Sequence, residues 1–209
     1  MWLFECELDL YEWRRTIVVL SSAFAPFILA LYLIIRNKMK IWVSYTLIST
    51  FIVAAFGWEI WINFGLIDGD PVDLRRSSSL SCALPQNINW LLNSFADVGI
   101  VWFGILIVLW LYRNNPKPFE QFTWLAFSTL FAWFIAQNIF VETIIYYNQV
   151  GGGASLSWAP LMPLGPYWSP ELISFGEREV TFQSQSTWVL ATPIVYRIAI
   201  YFHKKTGGY

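Results

Sequence analysis

Long apolar runs separated by short polar stretches dominate the sequence. Four of these runs lie at about 17–35, 41–66, 90–112 and 122–147. A helix needs about 20 apolar residues to cross a hydrocarbon core of roughly 30 Å, so each run predicts a transmembrane helix. A fifth run, at 187–202, is shorter and contains Pro193 and Arg197. We interpret it as a fifth span that the proline kinks, with the arginine reaching toward the nearer interface.

The polar stretches between the runs predict the orientation of the helices. Basic residues cluster in the short connections and the tail, at Arg36, Lys38, Lys40, Arg113, Lys117, Lys204 and Lys205. Because basic connections stay in the cytoplasm, we expect an outer N-terminus, a cytoplasmic C-terminus and outer loops at 67–89 and 148–186. The segment before the first run is acidic, so this run is expected to remain as a helix. Residues 1–209 then form one polytopic all-α domain of about five transmembrane helices.

The outer loops are not simple linkers. Residues 148–186 contain several tryptophans and prolines, and disordered linkers are seldom so aromatic. We expect this loop either to anchor at the membrane interface or to fold over the bundle as a lid. Cys6 and Cys82 fall on the same outer side, where oxidation is permitted. A disulfide and two free thiols both remain open, because the sequence gives no distance between the two residues.

Composition agrees with a membrane protein and excludes several functions. Hydrophobic residues make up 56% of the 209 positions and charged residues only 13%, which is typical of an integral membrane chain. The formal net charge of −1 leaves no concentrated basic surface for nucleic acid. The sole histidine, His203, lies at the expected cytoplasmic end, and the sequence has no P-loop or zinc-ligand set. We therefore expect no metal and no cofactor.

Three carboxylates interrupt the apolar runs, and each has an asparagine four residues away. The pairs are Glu59 with Asn63, Asn93 with Asp97, and Asn138 with Glu142. This spacing keeps both members of a pair on one helix face. All three acids fall roughly 7–10 Å inside the expected outer boundary at a rise of 1.5 Å per residue. Because a charge in hydrocarbon costs roughly 2.5 kcal/mol or more, such residues usually face a bundle interior or a wet cavity.

The three faces predict one polar chamber in the outer half of the bundle. Four further residues are near enough in sequence to form its walls, namely Trp58, Trp61, Gln137 and Tyr146. A protonated carboxyl beside an ionised one would make an acid/base pair. The chamber would hold a hydrophobic small molecule or a membrane lipid.

Other interpretations of the same acids stay open. They could line an ion or proton path, as in a small proton-coupled carrier, although the chain shows no inverted repeat. They could also hold helices together through hydrogen bonds in lipid. An accessory subunit of a larger membrane complex would account for the aromatic outer loops, and a homo-oligomer is also open.

These residues resemble motifs of the EXPERA-domain family, which includes the emopamil-binding sterol isomerase and the sigma-2 receptor. The similarity covers four of the five runs. It rests on Glu59 and Trp61, on Asp97, Gly104 and Trp110, on Gln137, Glu142 and Tyr146, and on Gln185, Trp188 and Pro193. The chain departs from the family where Ala55 replaces the isomerase histidine, Asp97 a glutamate and Gln185 an asparagine.

The resemblance implies a carboxylate-lined cavity for a sterol-like, isoprenoid or amphiphilic ligand, to which Gln185 and Trp188 contribute. Glu59 and Asp97 would flank the ligand. One acid would give a proton to an alkene carbon, and the other, or Glu142, would remove a proton from its neighbour. Faces of Trp61 and Trp188 would stabilise the cation between these steps. The implied membrane is the endoplasmic reticulum for a eukaryotic chain and the inner membrane for a bacterial one.

Overall fold

Among the described residues, the fold consists of five long helices, two short helices and a small hairpin. The computed structural model describes residues 6–113, 115, 117–145, 156–176 and 178–208, with the backbone alone at positions 175 and 178. The helices are α1 (Leu10–Ile35), α2 (Ile41–Phe64), α3 (Ser78–Ala83), α4 (Gln86–Leu111), α5 (Lys117–Glu120), α6 (Trp124–Ile145) and α7 (Phe182–Lys205). Strands β1 (Glu171–Phe175) and β2 (Arg178–Thr181) pair antiparallel. Short 3₁₀ turns lie at Val72–Leu74 and Gly165–Tyr167.

Four of the described helices, α1, α2, α4 and α6, are long and apolar enough to cross a membrane. The chain is therefore a mainly α-helical protein with the character of an integral membrane protein. Helix α7 is equally long but more polar, and it begins at Phe182 rather than near residue 187. Its first turns hold polar residues that are buried in the bundle, which an apolar run in the sequence does not register.

Helix α1 also begins earlier than its apolar run, at Leu10 instead of near residue 17. Asp9 accepts a hydrogen bond from the Glu12 backbone N–H at 2.7 Å, and Glu12 accepts one from the Asp9 N–H at 3.0 Å. This reciprocal capping box satisfies two backbone donors and fixes the start of the helix. Asp9 and Glu12, two of the acidic residues before the first run, thus belong to the helix start.

The bundle has two ends with different connections. We call the end with residues 65–85 and 156–181 the loop end, and the end with the connections α1–α2 and α4–α6 the turn end. Helices α2, α4, α6 and α7 each pack against two neighbours and form a four-helix ring, while α1 lies outside it against α4 and α3. The resulting bundle is a ring of four helices with one helix at its side.

The main hydrophobic core runs from Leu156 and Met162 at the loop end through the ring to the turn end. Trp42, Phe119 and Tyr196 are fully buried at the turn end, and Trp42 packs on Phe119 with ring centroids 4.8 Å apart. The Tyr196 hydroxyl donates to the Pro118 carbonyl at 2.6 Å, which ties α7 to the α4–α6 connection. Large aromatic side chains are thus fully buried at the turn end, where they contribute strongly to packing.

Helix α1 is held by a separate, smaller set of contacts. Val19 and Ala23 form an apolar cluster with Leu84, which follows α3, and Leu92 of α4, and this cluster is distinct from the main core. Gly99 of α4 lies so close to α1 that an added Cβ would approach Pro26 Cγ within 2.7 Å. A disulfide between Cys6 and Cys82, with Cα atoms 5.8 Å apart, joins the segment before α1 to α3. Of the two alternatives left open by the sequence, the structure has the disulfide.

The described part of the second outer loop folds over the loop end of the ring. Leu156 and Met162 are buried, and the backbone N–H of Trp158 donates to the Ile67 carbonyl at 2.9 Å. The Leu161 N–H donates to the Gly57 carbonyl of α2 at 3.2 Å. Residues 148–155 of this predicted loop lie outside the described residues.

Candidate functional site

A cavity of about 660 Å³ lies at the loop end, between α1 and the ring. Its size is in the range of small-molecule sites. It is lined by the three carboxylates and by six of the other residues predicted for the site, namely Glu59, Asp97, Glu142, Trp58, Asn63, Asn93, Gln137, Asn138 and Trp188. The cavity therefore brings together residues of α2, α4, α6 and α7 that are far apart in sequence.

Glu59 lies in a π-helical turn, Ala55–Glu59, that widens α2. Such turns are rare in proteins and are frequent at functional sites. Asn63 donates to the Glu59 carboxyl and to its backbone carbonyl, both at 2.8 Å, and the Asn93 side chain also hydrogen-bonds to the carboxyl. Asn89 in turn donates to Asn63 Oδ1 at 2.7 Å. These amides hold Glu59 between α2 and α4.

Asp97 is bound by a tryptophan from the neighbouring helix. The Trp58 indole N–H donates to Asp97 Oδ2 at 3.0 Å, and the Asp97 carboxyl is close enough to Glu59 for the two to interact electrostatically. Both carboxyl groups are 8% exposed. Two acids of adjacent helices thus face one region of the cavity.

Glu142 is held by α7 rather than by α2 or α4. It too lies in a π-helical turn, Val141–Ile145, and is 3% exposed. The Ser184 hydroxyl donates to Glu142 Oε1, and the Gln185 amide donates to Oε2 at 2.6 Å. Glu142 therefore has its own set of partners, separate from those of the Glu59–Asp97 pair.

Aromatic rings form one wall of the cavity. The rings of Trp58 and Trp188 have centroids 5.8 Å apart, and Trp188 packs on Phe134 at 5.0 Å. Trp133 also lines the cavity, with its N–H donating to the Ile100 carbonyl at 2.9 Å. These ring faces offer apolar contact and weak attraction for a cation.

Three polar atoms of the lining lack hydrogen-bond partners among the described residues. They are Gln137 Oε1, Asn138 Nδ2 and Thr187 Oγ1. Gln137 is 9% exposed and Thr187 only 3%, so neither side chain reaches bulk solvent. Buried polar atoms are nearly always satisfied, and those without a partner call for one. The lining is therefore equipped to bond a polar group inside the cavity.

Three residues predicted for the site do not line the cavity or cannot be located. The indole N–H of Trp61 donates to the Phe56 carbonyl at 2.7 Å, and the Trp61 ring packs edge-on against Trp158 of the outer loop. Trp61 thus stabilises the covering loop instead of forming a wall. Gln185 contributes through Glu142, as described, and Tyr146 lies outside the described residues.

Arg75 lines the cavity although the sequence analysis did not select it. It lies between α2 and α3, is 6% exposed, and donates from Nε to the Asp70 carbonyl at 3.0 Å and from Nη2 to the Ile62 carbonyl at 2.8 Å. Burial lowers the pKa of the Arg75 guanidinium to about 10, so it stays protonated at neutral pH. A basic residue in a polar loop carries no signal of burial, which is why composition and periodicity did not reveal it.

Within the described part of the chain, no group of three or more histidine, cysteine, aspartate or glutamate side chains could hold a metal ion. The arrangement can nevertheless bind a polar group, move a proton between neighbouring acids and surround an apolar body. Comparisons with protein-family models, with curated proteins and with solved structures returned no match.

Proposed function

We propose that this protein binds a sterol-, isoprenoid- or other amphiphile-type ligand in its intramembrane cavity. The observation that carries the proposal is one cavity in which three buried carboxylates of different helices meet an aromatic wall. Acids in such a position cost stability, so a purely structural role would leave that cost unexplained. The unpartnered atoms of Gln137 and Thr187 add unused hydrogen-bonding capacity in the same space.

We infer five transmembrane spans with an outer N-terminus and a cytoplasmic C-terminus. Helix α7 packs between α2 and α6 over its length, which supports counting it as the fifth span. Its polar residues Gln183, Gln185, Ser186, Thr187 and Thr192 are buried in the bundle, whereas Arg197 is exposed. The last turn of α7 holds His203, Lys204 and Lys205, as expected at a cytoplasmic end. The specific membrane follows from the source of the chain, as given above.

We further propose that the Glu59–Asp97 pair can transfer protons to and from a bound alkene. In a double-bond isomerisation, one acid protonates one alkene carbon and the positive charge forms on the other alkene carbon. The second acid, as its carboxylate, then removes a proton from the carbon on the far side of that cation, so that the double bond forms one position along the chain. The positive charge between these steps would lie beside Trp58 and Trp188, whose ring faces attract cations. Trp58 takes the place that the sequence analysis gave to Trp61.

Membership of the EXPERA-domain family remains part of the proposal. The helices that carry the resembling motifs are α2, α4, α6 and α7, and these four form the ring around the site, while α1 lies outside. Ala55, which stands where the isomerases have a histidine, begins the π-helical turn that contains Glu59. A binding protein with a differently arranged acid pair fits this departure better than an isomerase of the usual kind.

Asp97→Asn tests the proposed pocket. The variant keeps the size of the side chain but removes a carboxylate, so we expect it to fold and to lose its ligand. The wild type and the variant are purified in mild detergent, and co-purifying lipids are identified by mass spectrometry. Glu7→Gln, an acid-to-amide change at an exposed position, is the matched control.

A sterol or isoprenoid enriched with the wild type and the control but absent from Asp97→Asn would support the pocket and justify an isomerase assay. Equal enrichment in all three proteins would contradict it. Recovery of stoichiometric partner proteins without any lipid would instead favour the accessory subunit.

A further inference from the structure

Arg75 is a buried cation at the loop end of the cavity. Within the described part of the chain, no carboxylate lies at ion-pairing distance from it, and Glu59 and Asp70 act on it only at longer range. A buried charge without a contact partner is costly, and the cost falls when an opposite charge is supplied. Each carboxylate of the cavity is hydrogen-bonded to other donors, and among the described residues none contacts the guanidinium.

The guanidinium is fixed in place with part of its bonding capacity unused. Nε and Nη2 donate to the backbone carbonyls of Asp70 and Ile62, which sets the plane of the group. Nη1 has no hydrogen-bond partner among the described residues. Arginine presents its N–H groups as a rigid fork that suits carboxylate and phosphate oxygens. The free nitrogen is therefore preorganised for an anionic oxygen.

On the α4 side, the lining of the cavity is polar at the loop end and apolar farther away. Along α4 its lining runs from Asn89 and Asn93 at the loop end to Ile100 and Phe103, a distance of about 20 Å at a rise of 1.5 Å per residue. On the facing side of α1, the lining runs from Val18 and Val19 through Ser21 and Ser22 to Pro26 and Leu29, so this side is mainly apolar. A ligand with a polar head and a long apolar body matches this gradient.

We propose that the cavity binds an acidic amphiphile, whose carboxylate or phosphate oxygens contact Arg75 while its apolar chain lies between α1 and α4. This inference rests on the proposed function and specifies the head group of the ligand. It differs from a protonated amine held by the carboxylates, because an ammonium head beside Arg75 would be repelled.

Head groups on one alkyl chain provide the test. Displacement of tritiated palmitate from the purified protein is measured with unlabelled palmitate, cetyl phosphate, cetyl alcohol and cetylamine. We expect palmitate or cetyl phosphate to compete at least about tenfold better than the alcohol, as a charge-assisted hydrogen bond implies. The stronger of the two anions separates a carboxylic lipid from a phosphorylated one. This ranking needs no variant, so it does not depend on how a substitution folds.

Arg75→Gln is expected to bind the acid and the alcohol alike, and Arg75→Lys to keep part of the preference. Arg14→Gln removes the same charge at an exposed position of α1 and should leave the preference intact. Equal displacement by all four compounds in the wild type, or preference for cetylamine, would overturn the acidic head group while leaving a ligand pocket. Absence of palmitate binding, together with equal lipid recovery from wild type and Asp97→Asn, would overturn both proposals.

Discussion

Each carboxylate of the cavity has a different immediate environment. Glu59 is bonded by asparagine amides, Asp97 by an indole N–H and Glu142 by a hydroxyl and an amide from α7. A hydrogen bond to a carboxylate is stronger than one to a neutral carboxyl group, so each of these donors stabilises the ionised form of its acid. The individual donors are therefore as informative about the chemistry as the acids themselves.

The indole N–H of Trp58 is the donor that can be removed most selectively. Trp58→Phe keeps an aromatic ring beside Trp188 but deletes the 3.0 Å hydrogen bond to Asp97. Because a hydrogen bond to a charged group contributes about 1.5–3 kcal/mol, we expect the recovered ligand to bind at least tenfold more weakly. The dissociation constant of the co-purified lipid, measured for both proteins, checks this.

Trp61→Phe is the matched control for that substitution. It also deletes an indole hydrogen bond, to the Phe56 carbonyl at 2.7 Å, but its ring lies outside the cavity. We expect its ligand affinity to stay near that of the wild type. Equal losses in the two variants would show that the Trp58 effect is structural.

At the scale of elements, α1 differs from the other long helices. It forms one wall of the cavity. Among the described helices, it packs mainly against α4 and α3. Its close approach to α4 depends on Gly99, since small residues let transmembrane helices come together. Helix α1 thus has fewer long helices packed extensively against it than any helix of the ring.

Gly99→Val should loosen this wall. The added side chain would meet Pro26, whose Cγ is 2.7 Å from the position of a new Cβ, and overpacking of this kind costs about 1–3 kcal/mol. We expect a lower thermal unfolding midpoint in detergent and weaker ligand binding. Ala132→Val, at an exposed position of α6, adds bulk without a facing helix and should change neither value. Unchanged stability of Gly99→Val would contradict a tight α1–α4 contact.

At the scale of the whole molecule, the disulfide compensates for the sparse packing of α1. It joins residues separated by 76 positions, and the Ser77 hydroxyl adds a second link by donating to Glu12 of α1. Both links lie at the loop end, beside the polar half of the cavity. The remainder of α1 toward the turn end is largely exposed.

The double variant Cys6→Ser/Cys82→Ser should be less stable by about 2–4 kcal/mol, the usual contribution of a disulfide that closes a long loop. Thermal unfolding with and without reductant measures this. We expect reductant to lower the midpoint of the wild type to that of the variant and to leave the variant unchanged. A wild-type midpoint that does not respond to reductant, with the bond shown to be reduced, would contradict a stabilising role.

The sequence predicted the three carboxylates and their amide neighbours because ionisable residues are conspicuous in apolar runs. In the structure, Glu59, Asp97 and Glu142 line one cavity. Arg75 and Thr187 could not be found in this way, since a loop arginine and a helical threonine are ordinary until folding buries them. The position of Trp61 was equally out of reach, because its contact with Trp158 joins two distant segments.

The polar-to-apolar gradient of the cavity also bears on how a lipid would arrive. A lipid in the leaflet next to the loop end already has its head at that end and its chains toward the bilayer centre. If such a lipid is the ligand, it needs no inversion to place its head at the loop end of the cavity. A lipid from the opposite leaflet would have to flip its head group across the hydrocarbon first, so the protein would sample one leaflet only.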